Sequence, residues 1–372
     1  MSGWLLVLLW GLAAGALLGL HTAFWRRRLR VHRRADEVHF VKAADGWSLA
    51  LHRHRPALQR FAEPLVLCHG LGANRFNFDL DGRISLARHL AERGFDVWVL
   101  ELRGAGLSDA PGWFTGRSWN WDFDTHLGLD APAALDEVRR ATGQRRVFWV
   151  GHSMGGMLGY ALAGQPALEA LAGLVAVGSP GRLSPSALRP AWLLRLLVNL
   201  PVVPTGPLGR CLAPFVSWVA RPFYHPGGIE PRLVRRALAN LNESLCSTLV
   251  RQFLGWGQVG RFVSRDGSRD YLAEVALARA PLFLLAAHRD LLAPPDSLKP
   301  VYEAWGFQDR EIRVFGLDAG DDHDFGHGDL VLGRHAPEMV YPEISGWLEA
   351  RATRLPATEP ALETPAPEVG AR

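Results

Sequence analysis

The chain has 372 residues, 48% of them hydrophobic, enough for one large core or two ordinary ones. Its formal charge of +4 misleads, because the first 34 residues carry six arginines and no acid, which leaves the remainder slightly acidic. That balance gives nucleic-acid binding no support, and the three widely spaced cysteines (Cys68, Cys211 and Cys246) form neither a disulfide framework nor a metal-ligand spacing.

From Gly3 to Phe24 no residue is charged, and Leu, Val, Ala, Gly and Trp dominate. As a helix this run is about 33 Å long, close to the roughly 30 Å of a bilayer's hydrocarbon core. Trp4 and Trp25 sit at its ends, and Arg26, Arg27, Arg28, Arg30, Arg33 and Arg34 follow. A cleavable signal carries its charges before the apolar core, the opposite layout. The pattern predicts a membrane anchor over residues 1–25 and a basic juxtamembrane segment over 26–35 that is drawn to anionic lipid. The N-terminus is expected outside and the rest of the chain in the cytoplasm. Gly11, Gly15 and Gly19 fall four apart, a stripe that permits a dimer through close helix contact.

Beyond the arginines, short apolar runs alternate with longer helical patterns. Strands are expected at Val38–Val41, Ser48–His52, Pro64–Cys68, Phe95–Leu100, Arg146–Val150, Gly173–Gly178, Pro281–Ala287 and Glu311–Phe315. Helices are expected at Ile84–Arg93, Thr125–Thr142, Met154–Gly164, Pro295–Trp305 and Pro337–Arg351. The later strands are apolar throughout, as parallel strands buried on both faces are. The alternation predicts an α/β fold with a mostly parallel, eight-stranded, doubly wound sheet. About 100 residues separate the sixth and seventh strands, too many for a plain connection. The main domain is therefore placed at 36–179 and 281–354, with a helical cap at 180–280 that includes the apolar stretch 191–198. Residues 355–372, rich in Pro, Ala, Glu and Thr, are expected to be a disordered tail.

Chemistry concentrates at Gly151-His152-Ser153-Met154-Gly155. A strand before this G-x-S-x-G run and a helix after it make the sharp elbow that lifts a serine hydroxyl above a sheet edge. A serine needs a base, and the base an orienting carboxylate. Asp290 follows the Pro281–Ala287 strand within three residues and is the acid of that turn. Two candidate histidines lie in the loop after the last strand. His327 lies between glycines that allow a close approach, and His323 lies among acids and is expected in solvent. The same acidic run could hold a divalent cation, but a charged loop is the simpler reading. For a developing oxyanion, the backbone N–H groups of Met154 and of Leu71, in Cys68-His69-Gly70-Leu71-Gly72, are the expected donors. His69 and His152 are given no proton-transfer role.

Ser153, Asp290 and His327 in this order, with Arg103-Gly104-Ala105-Gly106-Leu107-Ser108, make the chain resemble the α/β-hydrolase superfamily over roughly residues 38–353. Trp121-Asp122-Phe123-Asp124, Asp130-Ala131-Pro132-Ala133 and His327-Gly328-Asp329 are similar to segments of acid-lipase-type members. The resemblance implies an esterase or lipase that needs no metal and no organic cofactor. The location and substrate of the secreted acid lipases do not transfer, since this chain has an apparent anchor and no paired cysteines. The resulting expectation is a membrane-anchored serine hydrolase cleaving esters of hydrophobic acids, with lipid-like substrates and membrane as its partners. An acyltransferase or thioesterase using the same residues is the nearest rival, and a silent membrane-tethered interaction module a more distant one.

Overall fold

The computed structural model describes residues 3–112, 115–165, 171–183, 196–214 and 223–356. Helix α1, Gly3–Leu29, holds all of the apolar N-terminal run and is long and apolar enough to cross a membrane, with none of its residues buried. Gly11, Gly15 and Gly19 face open space.

Among the described residues ten strands follow, eight of them in one sheet. In chain order these are β1 (Glu37–Lys42), β2 (Ser48–His54), β3 (Leu65–Cys68), β4 (Val97–Glu101), β5 (Val147–His152), β6 (Leu171–Val177), a two-residue pair β7 (Val202–Val203) and β8 (Leu245–Cys246), then β9 (Leu282–Ala287) and β10 (Arg310–Phe315). The large sheet runs β1-β2-β4-β3-β5-β6-β9-β10, with β2 antiparallel to both neighbours and the rest parallel. Parallel neighbours require crossovers, and helices supply them: α2 (Leu86–Glu92), α3 (Ala131–Thr142), α4 (Met154–Ala163) and α8 (Pro295–Ala304), while α9 (Ala336–Arg351) follows the last strand. Side chains alternate across the sheet, so Val66, Trp98 and Trp149 join the layer that holds Tyr160, whereas Leu65, Val97 and Phe148 join the layer that holds Trp347. Both faces are buried, which explains the unbroken apolar runs of the central strands.

The helix expected over Thr125–Thr142 is divided. Phe123–Thr125 forms a capped turn, His126–Asp130 a π-helical stretch, and α3 starts at Ala131. Pro132 has no N–H for the regular ladder, and Ala131 N–H reaches five residues back to His126 O instead.

Between β6 and β9 the described residues hold α5 (Thr205–Leu212), α6 (Pro231–Asn240), α7 (Ser247–Val259) and the antiparallel β7–β8 ribbon. Residues 191–195 of the apolar stretch and 357–372 of the tail lie outside the described residues. The insertion sits on the loops at the C-terminal ends of β3 and β10: Glu243 N–H donates to Gly72 O (2.8 Å), and Gly328 N–H donates to Phe223 O (2.6 Å).

Candidate active site

At the end of β5, Ser153 has φ 55° and ψ −120°, and it has the only positive φ among the described non-glycine residues. Such a conformation costs about 1–3 kcal/mol and persists only where its surroundings enforce it. Here the elbow's glycines do so. A Cβ on Gly155 would fall 2.0 Å from Cys68 O, and one on Gly151 would fall 2.2 Å from Gly156 N. Strand and helix therefore meet at backbone distance, and Ser153 N–H is anchored to Val177 O of β6 (2.9 Å).

Gly178 follows β6 with φ +55°, and its missing side chain leaves room for the next pair. A Cβ there would stand 3.3 Å from both Asp290 Oδ2 and His327 Nδ1. His327 Nδ1 donates to Asp290 Oδ2 at 2.8 Å, and both residues are nearly fully buried. Burial pushes the Asp290 carboxyl up, but the His327 charge and hydrogen bond, with the N–H groups of Leu292 and Ala293, outweigh it and hold the pKa below the ordinary carboxylate value. Asp290 is thus an anion that fixes the ring with Nδ1 protonated and Nε2 as its basic nitrogen. His323 is exposed and stacks on His335 at 3.7 Å between ring centroids. Among the described residues, no group of His, Cys, Asp and Glu is arranged to hold a metal ion.

Leu71 and Met154 line one small cavity of about 30 Å³, together with His69, Trp121, Glu243, Leu245 and Leu249. Met154 opens α4, where the first N–H groups have no partner within the helix. His69 serves the backbone: its Nδ1 bonds Gly70 O (2.8 Å) and its Nε2 accepts from Leu102 N–H (3.2 Å), while burial holds its pKa down at about 4. His152 is pushed lower still, to about 3, by burial and by the charge of His327, and it spans from Asn77 Oδ1 (3.0 Å) to the backbone carbonyl of His327 (3.2 Å). Lowered this far, both rings are weak bases, and each is engaged by its neighbours.

Several contributors escape a reading of the sequence. Asn77 Oδ1 accepts from Gly70 N–H (3.2 Å) and so sets the loop before Leu71. Glu243, from the insertion, accepts from Asn74 Nδ2 (2.7 Å) and Gly106 N–H (3.1 Å). Asp329 Oδ2 accepts from His225 N–H and Gly326 N–H, both at 2.7 Å, and ties the insertion to the His327 loop. The His-x-Asp spacing was visible, but the role of its carboxylate as a backbone acceptor was not. Arg103, Gly104 and Gly106 prove to be scaffold. Arg103 Nη2 bonds Asp130 Oδ1 (2.6 Å), its Nη1 bonds Asp45 Oδ2 (2.7 Å), and a Cβ on Gly106 would fall 1.9 Å from Glu101 Oε1.

The sheet order, the elbow and the acid and imidazole on later loops settle the architecture. The chain has the α/β-hydrolase fold. A family profile described as the alpha/beta hydrolase fold matches residues 63–210. The chain is 37% identical over 124 residues to Lipase 1 of Drosophila melanogaster, covering 32% of this chain and 28% of that protein. It is 32% identical over 134 residues to gastric triacylglycerol lipase of Bos taurus, covering 34% of each. These matches span about a third of the curated relatives' length. Among solved structures, a thermophilic esterase from Thermogutta terrifontis superposes with a TM-score of 0.58 at 18% identity, over 85% of this chain and all of that one.

Proposed function

We propose that this α/β hydrolase is a membrane-anchored serine hydrolase that cleaves carboxylic esters of hydrophobic, lipid-like acids. The carrying observation is the buried Asp290–His327 hydrogen bond packed beside Gly178, one residue beyond the β6 carbonyl that anchors Ser153. In this reading Ser153 Oγ attacks the ester carbonyl while His327 Nε2 takes its proton. The tetrahedral oxyanion is held by the N–H groups of Leu71 and Met154, each donor contributing about 3–4 kcal/mol in the transition state. Collapse expels the alcohol, which takes the proton from His327. Water then repeats the sequence on the acyl-enzyme, with Asp290 stabilising the imidazolium in both halves. The lipase relatives support a lipid-like ester as substrate. The apolar helix α1 and the arginines after it support an anchor over residues 1–25, an N-terminus outside and a catalytic domain in the cytoplasm.

Ser153→Ala is expected to lower p-nitrophenyl ester turnover by roughly 10⁴-fold or more and to abolish labelling by a fluorophosphonate, with an unchanged far-ultraviolet dichroism spectrum. Turnover that survives the substitution would overturn the nucleophile assignment. The Gly11, Gly15 and Gly19 stripe, open on the helix surface, is proposed as a dimer contact within the bilayer. Gly15→Leu should convert a detergent-solubilised dimer to monomer in sedimentation, and no change would dismiss that contact.

A further inference from the structure

The last turns of α1 are tied to the insertion at two depths. His21 Nε2 lies 3.1 Å from the Cys211 carbonyl near the end of α5. Lower down, Asn240 at the end of α6 donates from Nδ2 to Leu29 O (3.0 Å) and accepts Val31 N–H at Oδ1 (3.1 Å). The upper tie holds the end of α5 against α1, and the lower one holds the end of α6 there. His21 precedes Trp25, the aromatic end of the apolar run, by four residues, which is about 6 Å along a helix. The C-terminal end of α5 is held at that level. The edge of α5 that faces away from the protein carries Pro207 and Leu208, and Leu208 is 56% exposed. The chain leading into it exposes Leu196 (62%) and Leu200 (51%), while Arg26, Arg27 and Arg28 are exposed one turn beyond Trp25.

We propose that α5, with the preceding Leu196–Leu200 segment, is a second membrane-contacting element that lies along an anionic bilayer surface beside α1. This rests on the reading of α1 as a membrane helix. Interfacial helices bury their apolar side roughly 5–10 Å into the boundary between headgroups and acyl chains. The depth that His21 imposes on α5, about 6 Å, falls inside that range. Leucines at this level meet acyl chains, and the arginines after Trp25 meet lipid phosphates. The contact also bears on the candidate site. Strand β7 lies between Leu200 and α5, and its partner β8 carries Leu245, whose Cδ2 would be 2.5 Å from a Cβ on Gly72. One ribbon thus links the lipid-facing surface to the loop bearing Leu71, and an amphiphilic ester leaving the bilayer meets the insertion before it meets water.

The test uses the full chain with Cys211→Ser, since Cys68 and Cys246 are buried. Single cysteines at Leu208, at Leu12 of α1 and at the exposed Asp136 of α3 are labelled with an environment-sensitive fluorophore. Each variant is reconstituted in vesicles of phosphatidylcholine and phosphatidylglycerol containing spin-labelled lipid. The Leu208 label should be blue-shifted and quenched most by lipid spin-labelled near the glycerol backbone. The Leu12 label should be quenched most by lipid labelled deep in the acyl chain, and the Asp136 label by neither. A Leu208 label that behaves like the Asp136 label, with Leu12 quenched, overturns the α5 proposal and leaves the anchor standing. An unquenched Leu12 label overturns both.

Discussion

Asp329 is 1% exposed, and only one of its two carboxylate oxygens is used: Oδ2 takes two backbone N–H groups, whereas Oδ1 has no partner among the described residues. Burial pushes its pKa from an ordinary 3.8 up to about 6, with the Asp290 charge adding to the rise, and the two N–H groups and the His327 charge offset only part of it. The folded state therefore holds this proton more tightly than the unfolded chain does. Its stabilising contribution is complete below the ordinary carboxyl value and is lost as pH rises through about 6. Asp329→Asn keeps an oxygen for the His225 and Gly326 N–H groups and removes the titration. Relative to that variant, the native chain should gain up to about 3 kcal/mol in stability as the pH falls from about 7 to 4. Denaturant midpoints of both proteins at the two pH values would measure this, and a gap independent of pH would mean that Asp329 ionises like an ordinary carboxyl. Sequence reading finds such a residue by its spacing from His327 but not by its state. The pKa depends on His225 and Gly326 N–H groups and on walls contributed by segments distant in the chain.

At the scale of elements, the same distinction between local and distant information separates what was legible from what was not. The eight sheet strands fall within two residues of their expected limits at every end, and in the central ones burial on both faces leaves a continuous apolar run that needs no partner to be recognised. The elbow was legible for the same reason, since Gly151 and Gly155 answer to clashes within a few residues or with the adjacent strand. The π-helical break at His126–Asp130 and the β7–β8 ribbon were not, as the one turns on a single missing N–H and the other on two residues per strand. That ribbon lies against the loop bearing Leu71. Leu245 packs on Gly72, and the cavity shared by Leu71 and Met154 holds about 30 Å³, room for roughly one water and not for an acyl chain. Leu245→Ala should raise kcat/KM for long-chain p-nitrophenyl esters relative to short-chain ones, at a stability cost of about 1–2 kcal/mol given its partial burial. Equal effects on all chain lengths would place acyl binding elsewhere.

For the molecule as a whole, the decisive asymmetry is in charge. Every basic residue of the first 34 follows the apolar run, and the two ties from α1 to the insertion make the orientation of the helix the orientation of the entire protein. Cationic flanks are retained on the cytoplasmic side, so the proposed topology depends on Arg26, Arg27, Arg28 and Arg30, all of them exposed. Arg33 is less free to contribute, since its guanidinium is paired with the buried Asp79 at 2.9 Å. Replacing those four arginines with Gln and placing arginines ahead of Gly3 should move a majority of the catalytic domains to the opposite face of the membrane. Protease digestion of right-side-out and inside-out vesicles would report the change, with the native chain cleaved only in the inside-out preparation. Cleavage of the native chain from the outer face would show that the arginine cluster does not set the orientation. It would then have to be explained as a lipid-binding surface alone, beside the proposed contact at α5.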